Sequence, residues 1–145
     1  MAVLIFCALF APLLSPWDPL DQDLMGQYLP PLWSEKAHVD YLLGTDSLGR
    51  DVLSRLLYGA QPALIVATLG AFFSAFLGIF LGLYSGFYGG WVDAIISRTV
   101  ETFMSFPPVL LAIILVAVMG SGLHSVVIAI VVIDWTRFCR VVRSE

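Results

Sequence analysis

Residues Gln61–Gly86 read QPALIVATLGAFFSAFLGIFLGLYSG, and no charged residue occurs between Arg55 and Asp93. As a helix, Pro62–Leu83 is ~33 Å long at ~1.5 Å per residue. That length matches a hydrocarbon core of ~30 Å, so the stretch predicts a membrane-spanning helix. Small residues recur along it at every fourth position: Gly70, Ser74, Gly78, Gly82 and Gly86. On a helix these positions form one slowly drifting stripe. Such a stripe lets a second backbone approach closely, which in lipid takes the place of the hydrophobic drive between helices. The five positions are therefore the expected helix-packing seam.

Composition extends this reading to the whole chain. Hydrophobic residues make up 59% and charged residues 12% of the 145, and the mean hydropathy is +0.92. Soluble domains sit near about 45–50% apolar and ~25% charged. The net charge is −4, and its placement matters more than its size. In the segment 16–60, Lys36, Arg50 and Arg55 are outnumbered by Asp18, Asp21, Asp23, Glu35, Asp40, Asp46 and Asp51. Beyond Gln61, Arg98, Arg137, Arg140 and Arg143 balance Asp93, Glu101, Asp134 and Glu145. No basic stripe points to nucleic acid. Cys7 and Cys139 are far apart and have no metal-site spacing, and the absence of asparagine removes any N-glycosylation signal.

Three regions are expected. Residues 1–15 carry the apolar run Ala2–Leu14, too short for a full span, which reads as a first transmembrane helix truncated at its start or as a signal peptide without a charged n-region. Residues 16–60 form a Pro-rich, acidic segment outside the membrane. Within it His38, Glu35 and Asp40 read as a solvated loop rather than a metal site. The segment ends in an amphipathic helix over about 46–58, with Thr45, Asp46 or Ser47 as N-cap, Gly59 as the stop, and Asp51 and Arg55 spaced to pair. Residues 61–145 supply the remaining helices. There Ser85–Gly90 is read as a turn that breaks the first helix, and Asp93 suits the start of the next. Phe103–Met119 is apolar enough to span, with an expected kink at Pro107 and Pro108. Leu123–Val142 is the last span, and its Trp135, Arg137, Arg140 and Arg143 mark a cytoplasmic end. Asp134 is spaced to pair with Arg137, and it is also the one acid at membrane depth, where a substrate or ion role is the alternative. The fold class expected is an all-α membrane protein, a bundle of about four transmembrane helices with one interfacial amphipathic helix. The acidic segment would face outside, and residues 85–98 and the arginine-rich end would face inside.

The run Gly44-Thr45-Asp46-Ser47-Leu48-Gly49-Arg50-Asp51, continued by Ser54, Arg55 and Gly59 and then by an apolar span, resembles the permease subunits of ATP-binding-cassette importers for dipeptides, oligopeptides and nickel. The resemblance continues through Gly86–Asp93, Arg98, Phe106-Pro107 and the Trp135 to Arg143 ending. It implies a subunit of the bacterial or archaeal cytoplasmic membrane that forms part of a translocation path. A second related permease subunit, two cytoplasmic ATPase subunits and an extracytoplasmic solute-binding protein would be its partners. It also implies an EAA-type cytoplasmic loop that docks the ATPase, and no such pattern precedes Glu145. By this reading the chain holds the first three helices of the permease core, and the 145 residues alone are expected neither to bind the ATPase nor to support uptake.

Chemistry is otherwise scarce. There is no GxxxxGK[ST], HExxH or GxSxG pattern, and the only histidines are His38 and His124, so catalysis, a cofactor and a metal site are not expected. Two further readings stand beside transport by an importer. One is a non-transporting scaffold or inactive fragment. The other is a secondary transporter, which lacks a visible inverted repeat.

Overall fold

The computed structural model describes residues 2–34 and 37–144. Glu35 and Lys36, one considered with His38 and Asp40 and the other in the charge pattern, lie outside the described residues, as does Glu145. The described residues form five helices: α1 (Ala2–Leu14), α2 (Val52–Tyr88), α3 (Gly90–Ser105), α4 (Pro108–Met119) and α5 (Leu123–Ser144). The protein is an all-α membrane protein. Two compact units divide the chain, Met1–Ile65 and Val66–Glu145.

In the first unit, α1 stops where Ser15 and Pro16 begin. The Ser15 amide closes the last turn on the Ala11 carbonyl at 2.9 Å, and its hydroxyl donates to the Trp17 carbonyl. Ala8 and Ala11 are the buried residues of this helix. Its polar tie is the Gln61 side-chain amide, which donates to the Ala8 carbonyl at 3.0 Å.

The helix expected over about 46–58 is not a separate element. Residues 44–51 form a knot of turns, and α2 starts at Val52 and runs without interruption through Gly59 and Pro62. Gly59 does not take a left-handed backbone, unlike Gly44, Gly49, Gly89, Gly90 and Gly120. A glycine ends a helix by adopting that conformation, so composition alone misplaced the stop. With 37 residues, α2 is ~55 Å long at ~1.5 Å per residue. It outreaches a bilayer core, and its polar first turns belong to the loop network rather than to lipid.

In the second unit α2 ends at Tyr88, three residues beyond the expected turn's start, and Gly89 with φ of 59° carries the break. The two prolines act as expected. A residue preceding proline is driven out of the helical region. Phe106 precedes Pro107, and Pro107 precedes Pro108, so both are extended, with ψ of 138° and 122°. Pro108 then opens α4 at a position that needs no amide donor. The axes of α3 and α4 consequently differ by 91°, so Phe103–Met119 is not one straight span. By length and composition α2 crosses a membrane alone, and α3 with α4 makes a second, broken candidate. The small core holds Val100 of α3 against Trp135 and Cys139 of α5, with Leu81, Ile96 and Phe103 packed around them.

Candidate functional site

The residues singled out in the sequence fall into two places, one in each unit. In the first, Asp46 is the hub of the 44–51 knot. Its Oδ1 accepts the amides of Leu48 at 2.8 Å and Arg50 at 3.0 Å. Its Oδ2 takes the Arg50 guanidinium at 2.8–2.9 Å and also pairs with Arg55. Desolvation works against this carboxylate, but the Arg50 side chain and the amides of Arg50 and Leu48 outweigh it and hold Asp46 well below the usual carboxylate range. The Asp51–Arg55 pair expected from spacing does not form, because Arg55 reaches back to Asp46 instead.

Asp51, not Thr45, Asp46 or Ser47, caps α2. Its Oδ2 accepts the Ser54 amide at 2.8 Å and the Ser54 hydroxyl at 2.5 Å, and its carbonyl takes the Arg55 amide. Asp-x-x-Ser is an N-cap signal visible in the sequence, one turn later than expected. Ser54 also accepts the Trp17 amide at 3.2 Å. Thr45 stitches the knot to residues 26–29, donating to the Gly26 carbonyl and accepting the Leu29 amide at 2.9 Å. Gly44 and Gly49 are both left-handed, and a Cβ on either would run into a carbonyl, Leu29 for the first and Asp23 for the second. The motif thus fixes the acidic segment onto the start of α2. Gly59 has open space around its Cα and takes no part.

In the second unit the small-residue stripe of α2 faces α5. A Cβ on Gly78 would stand 2.5 Å from both the Trp135 carbonyl oxygen and the Phe138 Cβ, and one on Gly82 would stand 2.9 Å from the Cys139 carbonyl oxygen. At Gly70 the neighbour is the Ile130 Cγ2 at 3.0 Å, a side chain that can yield. Ser74 is fully buried. Gly86 meets nothing within 4 Å. The tight contact is therefore centred on Gly78 and Gly82, where backbone meets backbone.

One turn beyond, a polar clamp joins three helices. Asp93 of α3 accepts the Ser85 hydroxyl at 2.5 Å and a two-pronged Arg143 guanidinium, both contacts at 2.7 Å. Sequence reading placed Asp93 at a helix start but found neither partner, since Arg143 lies 50 residues away. The other arginines of α5 take no part in the clamp. Arg137 pairs with Asp134 at 3.2 Å, and Arg140 is exposed beside the Met104 sulfur. Trp135 is buried, its ring edge-on to Phe103 at 5.8 Å between centroids. Between α3 and α5, Ile96, Val100, Met104, Cys139 and Arg140 line an open groove of about 450 Å³. Neither place assembles a nucleophile beside a base. What both provide is attachment of one segment to another.

Comparison with known proteins agrees in kind. Residues 78–145 match the model of the binding-protein-dependent transport system inner membrane component, and residues 1–31 match that of the N-terminal transmembrane domain of oligopeptide transport permease C. The chain is 40% identical over 144 residues to the di/tripeptide transport system permease protein DppC of Pseudomonas aeruginosa, covering 99% of this chain and 48% of that protein. It is 42% identical, with the same coverage, to the dipeptide transport system permease protein DppC of Escherichia coli strain K12. A putative peptide permease of Brucella abortus is 36% identical, over 98% of this chain and 45% of that protein. The chain spans about half the length of the curated relatives it matches.

Proposed function

The chain belongs to the binding-protein-dependent transport permeases, and on that premise we propose that it forms part of the membrane path of an importer for short peptides. The observation that carries the proposal is the similarity to di- and tripeptide permeases along 99% of the chain. The geometry supports it: a capped, glycine-notched helix held on a neighbour by backbone contact builds walls, not a catalytic centre. Energy would come from ATP hydrolysed by two separate cytoplasmic subunits. A related permease subunit would complete the path, and an extracytoplasmic binding protein would deliver the cargo. We place the protein in a bacterial cytoplasmic membrane as a multi-pass subunit. The acidic 16–51 segment would face outside, and the Asp93–Arg143 clamp would lie at the cytoplasmic side.

Alternating access needs two packings of similar free energy. At Gly78 and Gly82 α2 presents no side chain to α5, and Leu81 packs beside them on Trp135 and Cys139, so the contact offers close approach with one side chain to hinder sliding. Uptake of a labelled dipeptide tests the reading, in cells that lack the corresponding permease and express, beside its partner subunits, the whole reading frame in which these residues occur. Restored uptake that competes with unlabelled dipeptide and not with nickel is expected. Absence of peptide uptake with all partners present in the membrane overturns it.

A further inference from the structure

The polar network around the start of α2 leaves one group unused. Asp51 is 2% exposed. Its Oδ2 is taken by Ser54, while its Oδ1 has no hydrogen-bond partner. Asp51 is also the buried wall of a cavity of about 20 Å³, whose other walls are Trp17, Asp18, Asp21, Asp23, Tyr41 and Gly49. The last three aspartates are exposed and form the rim. Among the described residues no basic side chain lines this space, and the two nearest in sequence, Arg50 and Arg55, are both committed to Asp46. Burial and then the charges of Asp23, Asp40, Asp21 and Asp51 push the Tyr41 hydroxyl up, which reports a negative field on this side of the loop.

A buried carboxylate oxygen with nothing to accept from is costly. A water molecule would satisfy its lone pairs but leave the charges uncompensated. We propose that the cavity binds a single hard cation of the calcium type, with Asp51 Oδ1 as the buried ligand and Asp18, Asp21 and Asp23 supplying charge from the rim. Among the described residues no three acidic or other ligating side chains already converge as a metal cage. The exposed aspartates would therefore turn inward on binding, with backbone carbonyls and water completing the oxygen shell. A shell assembled in this way suits calcium, which accepts 6–8 oxygens in flexible geometry, in the weak ~10⁻⁴–10⁻³ M range of extracellular modules. Magnesium demands near-ideal octahedral geometry and gives up its waters reluctantly, which a shell recruited from flexible rim aspartates does not provide. A cation here would tie residues 18–23 to the cap of α2. The site does not depend on the transport reading.

Limited proteolysis of the full chain in lipid nanodiscs tests it, with cleavage within residues 16–51 as the readout and ionic strength held constant. Millimolar calcium chloride is expected to slow cleavage several-fold and saturably, whereas magnesium chloride and choline chloride leave it unchanged. Asp51→Asn retains an acceptor for Ser54, since asparagine caps helices as well as aspartate, and should abolish the calcium effect. Should Asp51→Asn fail to fold, Asp21→Asn on the exposed rim is the second variant, and its calcium midpoint should rise several-fold. Equal protection by choline chloride would show charge screening and overturn the site. So would an absent calcium effect, calcium protection that persists in Asp51→Asn, or an unshifted midpoint in Asp21→Asn.

Discussion

The 44–51 knot and the Gly70–Gly86 stripe both depend on glycine, for opposite reasons. In the knot, Gly44 and Gly49 supply left-handed turns so that side-chain oxygens can meet backbone amides. In the stripe, Gly78 and Gly82 keep ordinary helical backbone and supply only the absence of a side chain. A segment in water competes with solvent for every hydrogen bond, and its shape must be specified by directed polar contacts. A helix in lipid already satisfies its own backbone, and what remains to be specified is how closely it can lie against another. The same residue type thus answers a conformational need in one unit and a steric need in the other.

The sharpest way to break this contrast is to fill the stripe. In Gly78→Leu the side chain meets the carbonyl of Trp135 and the backbone of Cys139, neither of which can swing away. The expected loss is ~3 kcal/mol or more, at the upper end of overpacking penalties. Thermal aggregation in detergent, followed by gel filtration, should show an early loss of the folded peak. Gly86→Leu in the same assay should match the parent protein, because nothing lies within 4 Å of that position. Equal behaviour of the two variants would show that the four-residue spacing, not the contact, had been mistaken for packing.

Gly49→Ala asks the conformational question. An alanine with φ of 71° costs about 1–2 kcal/mol for the left-handed region alone. The Asp23 carbonyl in the path of its Cβ adds to that. A loss of about 2–3 kcal/mol is expected, read as faster proteolysis within residues 16–51 with the α2–α5 contact unaffected. Ser54→Ala is milder. It removes the hydroxyl that joins Asp51 to the Trp17 amide in a fully buried position, at about 1.5 kcal/mol, the low end for a hydrogen bond to a charged group, because the Ser54 amide still reaches Asp51.

What was legible in the sequence follows the range of the interaction. The consecutive prolines at 107 and 108 announced the break between α3 and α4, because their effect is confined to adjacent residues. Asp134 and Arg137 announced their pairing through helical spacing. Gly59 misled, since a glycine's identity does not reveal whether it takes positive φ. The helix start was placed too early because Thr45, Asp46, Ser47 and Asp51 are all competent caps. Only the three-dimensional knot, in which Asp46 is occupied by two arginines, leaves the task to Asp51. The Asp93–Arg143 clamp was invisible for a different reason. Its partners are joined only once α2, α3 and α5 have packed, and no local pattern encodes that.

The smallest effect expected is the pH dependence of the knot, and it separates the knot from the glycine contact. The carboxyl of Asp46 is held well below its ordinary value in the folded protein, so the folded state favours the ionised form more than the unfolded chain does. Its contribution is therefore fully present above the unfolded value near pH 4 and is lost progressively as pH falls below it. Acidification should loosen residues 16–51 first, read as rising proteolysis there. The backbone contact at Gly78 and Gly82 includes no carboxylate and should be untouched over the same range, whereas the Asp93–Arg143 clamp is itself a carboxylate contact and is expected to weaken with acid as the knot does. Asp46→Asn keeps an acceptor for the Leu48 and Arg50 amides but cannot ionise, so it should flatten the acid response of the loop while weakening its hold on Arg50 and Arg55. If the acid response survived in that variant, the pH sensitivity would have to belong to another carboxylate, and Asp46 would be only a turn-former rather than the charged hub of the knot.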